Sequence, residues 1–463
     1  MKGWDKVFDL EIINAEIVTS TNSYKGSISI KDGKIAAISE TPLRNAKQTI
    51  DAAGLHLVPG MVDQHVHFMD PGETSREDFI HGTQAAAMGG ITTVIEHTHA
   101  VPVRSVEDYE KKIKHVSARS LVDFGLTAHV FPEDLGNLRA LWESGVVLFK
   151  IFTCTTHGIP TLNNDQLFRA FQEIASFDGR VLVHCEDDAI TEGNEQRLKN
   201  AHRCDNEIVS EWRSETAEDI AVANVALMAR MTGVTATIAH ISHSFVIDLI
   251  KREQAEGAKI YAEVCPQYLF LDEETVKEKG PFAKFTPPAR AKGQNNRLLE
   301  LINDGSIQLL STDHAPSTAE QKLTGTIWDC NFGLPGVETT LPMMLNLVHE
   351  GKITLQRVVQ LFSEMPAKVL GLYPRKGCIV VGADADLALL DLSRKWMIKN
   401  EEIISKAGWS PYDGIQITGM PVTTIVRGNI VVENRKIVGE PGIGAPVTRL
   451  QTGNKKSDTV LIN

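Results

Sequence analysis

Short apolar runs recur through the middle of the chain, at residues 61–67, 92–96, 122–127, 147–150, 181–184, 236–240, 259–264 and 307–313. Apolar runs with little polar alternation read as strands buried on both faces of a parallel sheet. Between them lie stretches with apolar residues at helical spacing, such as 77–88, 165–177 and 217–231. Eight strand–helix units predict a (β/α)8 TIM barrel over residues 58–372. The two ends of the chain differ from this middle. Phe8-Asp9-Leu10-Glu11-Ile12-Ile13 and Ser27-Ile28-Ser29-Ile30 read as strands, and Asp32-Gly33 supplies the positive φ of a hairpin turn. Residues 385–390, 423–426 and 430–432 have the same character, with Arg427-Gly428-Asn429 as a turn. The expectation is an α/β protein in which segments 1–57 and 373–440 assemble one small composite β-sandwich beside the barrel. The stretch 441–463 bears Gly and Pro and then turns polar, so it is expected to be a mobile tail or an oligomer contact.

Length agrees with this division, because 463 residues suit a barrel of about 250 plus a second module. A formal charge of −12 argues against a nucleic-acid partner, which needs a basic face. The six cysteines show no CxxC pairing and several sit in apolar runs, so they are expected to be reduced. Met1-Lys2-Gly3-Trp4-Asp5-Lys6 has no apolar h-region, and no run approaches the roughly 18 apolar residues of a membrane span. A cytoplasmic protein without membrane contact is expected.

The chemistry is carried by the ends of five apolar runs: His65 and His67, Lys150, His184, His240 and Asp313. The C-terminal ends of barrel strands are where this architecture keeps its active sites. Side chains alternate along a strand, so His65 and His67 face the same way and can grip one ion. Imidazole suits zinc and related divalent metals. Lys150 is out of place as an ammonium, because burial disfavours its charge. Reaction with CO2 would turn it into a carbamate whose two oxygens can bridge two cations. Two such cations can share and activate a hydroxide, which makes hydrolysis the leading chemistry. Asp313 can serve as a ligand and as the base that takes the proton and returns it to a leaving nitrogen.

Val58-Pro59-Gly60-Met61-Val62-Asp63-Gln64-His65-Val66-His67, Lys150, Val183-His184-Cys185-Glu186, His240-Ile241-Ser242 and Thr312-Asp313-His314-Ala315-Pro316 resemble the amidohydrolase superfamily. The resemblance is strongest to its cyclic amidohydrolases: hydantoinase, dihydropyrimidinase, allantoinase and dihydroorotase. It extends to Pro287-Pro288-Ala289-Arg290, to 333–338 and to 408–413. It implies that His65, His67, Lys150 and Asp313 hold one metal and that carboxylated Lys150, His184 and His240 hold the other, usually zinc. It also implies opening of a cyclic amide or ureide ring, a β-sandwich beside the barrel, and homotetramers or homodimers.

Departures from the family patterns bear on the ring. Met69 stands where dihydroorotases place an Arg for the substrate carboxylate, a task that suits a bidentate guanidinium. Thr155 stands where dihydropyrimidinases and D-hydantoinases carry a Tyr that supports the oxyanion. Met69 makes dihydroorotate less favoured and a small residue at 155 fits allantoinase-like and L-hydantoinase-like enzymes better, with dihydroorotase or an imide- or lactam-ring amidohydrolase as the alternative. With six ligand positions filled, a non-catalytic scaffold is the least favoured reading. Family position assigns Thr286, Pro335 and Gly336 to ring recognition through main-chain groups. His314 either orients Asp313 or touches substrate. Glu96-His97-Thr98-His99 replaces the usual Met-Pro, so its imidazoles either fill a polar loop or line the pocket, and His157 belongs to the pocket rim.

Overall fold

The computed structural model describes residues 7–450. Eight parallel strands follow one another around a barrel: Met61–Val66, Ile91–Glu96, Asp123–His129, Leu148–Phe152, Arg180–His184, Thr235–Ile238, Ile260–Val264 and Leu309–Leu310. Most strand positions are buried on both faces, as the unalternating runs require. Helices cover the outside and start on the expected signals. Asp78 caps Phe79–Met88, Asn163 caps Asn164–Ala175, and Ser214 caps Glu215–Thr232, each accepting a backbone N–H of the first turn. Gly233, in the left-handed region, ends the last of these.

The eighth strand is shorter than its apolar run, because the chain leaves the ladder at Ser311. Closure against the first strand then rests on polar contacts. His67 N–H donates to the His314 carbonyl at 2.7 Å. Asp63 accepts the Thr312 hydroxyl at 2.6 Å and the Thr312 N–H at 3.2 Å.

The chain ends build a separate, mostly antiparallel nine-stranded sheet. The segment His56–Pro59 lies antiparallel to Leu387–Met397 and joins the N-terminal strands to the C-terminal ones. Leu10, Ile12, Ile28, Leu387, Met420 and Ile425 belong to a core of its own. Asp32 and Gly33 take positive φ values of 50° and 74° and close the hairpin between Ser23–Lys31 and Lys34–Ser39.

Of the two alternatives for the C-terminal stretch, the mobile one fails for 441–450. Segment 441–450 packs against the barrel instead of trailing from it. Phe124 N–H donates to the Ala445 carbonyl and Val447 N–H to the Phe124 carbonyl, at 3.0 and 2.7 Å, so the segment adds to the start of the third strand. The Arg449 guanidinium lies 3.3 Å from the Trp142 ring centroid. Unpaired main-chain groups of Phe124 outweigh the polar composition that predicted a free tail. The remainder of that expectation, 451–463, and the leader reading of 1–6 fall outside the described residues. Among the described residues no helix is long and apolar enough to cross a membrane.

Sheet and barrel are joined through a buried cation. Lys376, 2 % exposed, binds Asp386 of the sheet and Asp123 at the start of the third barrel strand, with Asp384 at 3.2 Å. Lys376→Met would leave Asp386 without a cation, with Asp123 keeping only Arg427 and Asp384 only Lys34 and Arg375. It is expected to lower stability by about 3–5 kcal/mol, read as a fall in the denaturant midpoint of unfolding.

Candidate metal centre

All six candidate ligands gather at the C-terminal end of the barrel. His65 sits near the end of the first strand and His67 just beyond it, as the alternation predicts. His184 is the last residue of the fifth strand, and His240 lies two residues past the sixth. Lys150 is in the middle of the fourth strand, not at its end as its apolar run implied, and its side chain reaches upward. His65 Nε2 and His67 Nε2 lie 3.4 and 3.3 Å from Asp313 Oδ1. Lys150 Nζ is 2.9 Å from His65 Nε2, and His184 Nδ1 is 3.0 Å from His240 Nε2. His240 and Asp313 have φ values of 39° and 47°. Side chains rarely adopt this left-handed region, and such strain concentrates at functional sites.

Partners on the outer side fix which nitrogens face inward. His65 Nδ1 donates to Glu263 at 2.9 Å, His67 Nδ1 to the His97 carbonyl at 2.5 Å, and His184 Nε2 to Glu186 at 2.6 Å. Each of these rings therefore turns a lone pair toward the pocket. Burial and the nearby Lys150 push the His65 pKa well below the ordinary imidazole value. Burial and His184 push His240 down to about 3. Both rings are neutral, the form a metal ligand needs. The His67 lone pair faces a carboxylate oxygen, an arrangement of two electron-rich atoms that calls for a cation between them. His65, His67 and Asp313 bring one ligand atom each within 4.8 Å of one another, so the donor set fits a divalent metal. Lys150 is 1 % exposed, and burial lowers its pKa to about 8, which raises the share of free amine at neutral pH.

Two carboxylates missed in the sequence support this arrangement. Glu263, fully buried in the seventh strand, accepts from His65, from Gln64 Nε2 at 2.6 Å and from the Ser311 hydroxyl at 2.8 Å. Glu186 accepts from His184, from the Thr286 hydroxyl at 2.8 Å and from Arg213 at 3.3 Å. Burial opposes its charge, but Arg213 and these donors outweigh it and hold the carboxyl at about 2. The available signal was a carboxylate inside an apolar run at Glu263, and one two residues after a ligand histidine at Glu186.

The remaining sequence candidates divide. Thr286 lines the cavity over the ligand cluster, together with His99, Phe152, His157, Ala315 and Phe332. Thr155 does not. It is exposed, its N–H donates to Asp188 at 2.7 Å, and it lines a separate cavity with Asp188, Glu192 and Arg213. The chain turns away after Phe152, where Thr153 binds main-chain oxygens of His184 and Glu186. His314 also faces away from the ligand cluster: its Nδ1 accepts the Gly336 N–H at 3.0 Å and its Nε2 lies 3.3 Å from Glu77. Pro335 and Gly336 share a small cavity behind it, outside the ligand pocket. His97 is buried and donates from Nε2 to the Gln64 carbonyl at 2.8 Å, so it braces the first strand.

Fold and donor set together define a metal-dependent hydrolase of the (β/α)8 class. Residues 56–431 match the model of the Amidohydrolase family, and the chain belongs to that family. It is 36% identical over 451 residues to an L-hydantoinase of Paenarthrobacter aurescens, covering 96% of this chain and 98% of the relative. It is 33% identical over 435 residues to a dihydroorotase of Methanothermobacter thermautotrophicus, covering 93% and 96%. The solved structure of an L-hydantoinase from Arthrobacter aurescens superposes with a TM-score of 0.93 at 35% identity, covering 96% of this chain and 100% of that one.

Glu263→Gln weakens the acceptor that fixes the His65 ring. Affinity for a divalent cation is expected to fall roughly 10–100-fold, measured by titrating metal into the chelated protein.

Proposed function

We propose that this amidohydrolase opens a hydantoin-type cyclic ureide by hydrolysing a ring C–N bond. The observation that carries the reading is the convergence of inward-turned histidine nitrogens, a buried lysine and Asp313 at the rim of the barrel. One divalent ion would be held by His65, His67, Lys150 and Asp313, and a second by Lys150, His184 and His240, with zinc favoured by the donor set. When bound, such ions polarise the ring carbonyl and make water a nucleophile near neutral pH. Lys150 is assigned a carbamate. Its free amine attacks CO2, an N–C bond forms and a proton leaves to solvent. Asp313 takes the proton of the attacking water and delivers it to the ring nitrogen as the C–N bond breaks. Thr286 sits at the wall of the same cavity and can meet the ring from the side.

Dihydroorotate is the runner-up, supported by the relative of that name. Against it, Met69 is buried where the substrate carboxylate would need a guanidinium, and no arginine lines the ligand cavity among the described residues. We further place the enzyme in the cytoplasm as a homodimer or homotetramer. Six free cysteines support a reducing compartment. Exposed Ile220, Leu227 and Met231 on helix Glu215–Thr232 support a contact between copies.

The deciding experiment is ring opening of hydantoin, dihydrouracil, dihydroorotate and succinimide by the metal-loaded protein. Hydantoin should be opened fastest, and exclusive turnover of dihydroorotate would overturn the assignment. Asp313→Asn is expected to keep the fold, by circular dichroism, and to lose at least about a hundredfold in kcat, the lower range of general acid–base catalysis. Lys150→Ala should bind less metal, with partial recovery of turnover on adding a short carboxylic acid. Full metal content without that recovery would refute the carbamate.

A further inference from the structure

Two lysines are buried beside the ligand cavity without a carboxylate to meet them. Lys284 is 1 % exposed and Lys322 is fully buried, and among the described residues no carboxylate forms an ion pair with either. Their amino groups bind main-chain oxygens instead. Lys284 Nζ donates to the carbonyls of Ile327 and Cys330, each at 2.6 Å, and lies 3.4 Å from that of Trp328. Lys322 Nζ donates to the Asn331 carbonyl at 2.8 Å and to the Lys284 carbonyl at 3.1 Å. Ile327, Trp328, Cys330 and Asn331 belong to one strap, 327–333, that contains no helix or strand. Burial pushes the Lys284 amine down to about 8 and the Lys322 amine down to about 7. A cation buried without a counter-ion is costly, so these positions call for a role that an apolar side chain would not serve.

That role lies at the end of the strap. Phe332 and Gly333 line the ligand cavity with Thr286 and Ala315. Lys284 stands behind this wall. Its ammonium is 4.4 Å from the centroid of the Phe332 ring, and its carbonyl accepts the Gly333 N–H at 3.0 Å. One residue therefore grips both ends of the strap, and Lys322 ties the carbonyl of that residue to Asn331. The fit at Gly333 is close: its φ is 113°, and a Cβ there would meet the Ala315 carbonyl oxygen at 2.3 Å. The outer part of the strap has anchors of its own, from Trp328 Nε1 to the Arg203 carbonyl and from the Thr326 N–H to Asp329, both at 2.8 Å. Next to the cavity, the carbonyls of Cys330 and Asn331 and the N–H of Gly333 are bound by the two lysines.

We infer that Lys284 is a positioning residue for substrate binding: its ammonium, with Lys322 locking its carbonyl, holds 327–333 so that Phe332 and Gly333 form one wall of the ligand cavity. The inference rests on the proposed ring opening and adds the residues that place its binding wall. Lys284 faces three carbonyls and uses all three N–H groups of an ammonium, whereas Lys322 binds two oxygens, which a neutral amine also serves.

The test uses Lys284→Ala, which opens a hole that matches a propylammonium ion and is lined by the same carbonyls. In the metal-loaded variant KM for hydantoin should rise about tenfold or more, the scale of losing hydrogen bonds to a charged group. The kcat and the affinity for the divalent metal should change little, the pattern of lost binding. Propylammonium should restore most of the KM, and 1-propanol at the same concentration should not. In Phe332→Ala, adding Lys284→Ala should raise KM far less than it does alone, because both act on one wall. Amide hydrogen exchange of 330–333 should accelerate in Lys284→Ala and slow again with propylammonium. Unchanged exchange there, KM effects that add fully across the two substitutions, or a metal affinity that falls in step with KM would overturn the inference. Should Lys284→Ala not fold, Lys322→Ala takes its place, with a smaller rise in KM and faster exchange expected; wild-type values for both would equally overturn it. If the wild type opens no hydantoin, the proposed function fails, and the exchange measurements still decide whether Lys284 holds the wall.

Discussion

A single buried carboxylate holds the metal centre in register. Glu263 on the seventh strand binds Gln64 and His65 of the first strand and Ser311 beyond the eighth, and lies 3.3 Å from the His240 amide past the sixth. The eighth strand has only two residues in its ladder, so main-chain bonding alone would close the ring weakly. Side-chain bonds from Glu263, and from Asp63 to Thr312, take over that task at the level where the ligands project. Burial pushes the Glu263 carboxyl up to about 7, and its oxygens are filled by donors that belong to the site. Closure of the barrel and orientation of His65 are thus one interaction.

The same logic repeats around the rim. Each inward lone pair is set by an outward acceptor: Glu263 for His65, the His97 carbonyl for His67, Glu186 for His184. Glu186 in turn is held by Arg213 and by Thr286, which lines the ligand cavity. The wall of the cavity and a candidate metal ligand therefore share one carboxylate.

Much of this was legible in the chain. Apolar runs without alternation specified parallel strands, and Lys150 stood out because an ammonium has no place in such a run. The matching β character of the two ends indicated that they pair. What escaped was local geometry. Glu263 alternates with Lys259 and Tyr261 along its run, where a carboxylate passes for the polar face of a strand, and its partners come from distant parts of the sequence. His314 follows Asp313 immediately, yet the positive φ of Asp313 turns the next residue to the other side. Thr155 was placed by counting from Lys150, but the chain bends away before reaching it. The packing of 441–450 was invisible because its composition is that of a loop and its attachment is through main-chain groups.

The pairing of His56–Pro59 with Leu387–Met397 has a consequence for how the molecule is made. The N-terminal strands leave the ribosome long before the segment that completes their sheet exists. At roughly 5–20 residues per second the interval is tens of seconds. Throughout it, one long edge of an apolar sheet waits without its partner, a template for pairing with neighbouring nascent chains. The growing polypeptide is therefore most exposed to aggregation while the barrel is being synthesised, and holding chaperones would act at that stage.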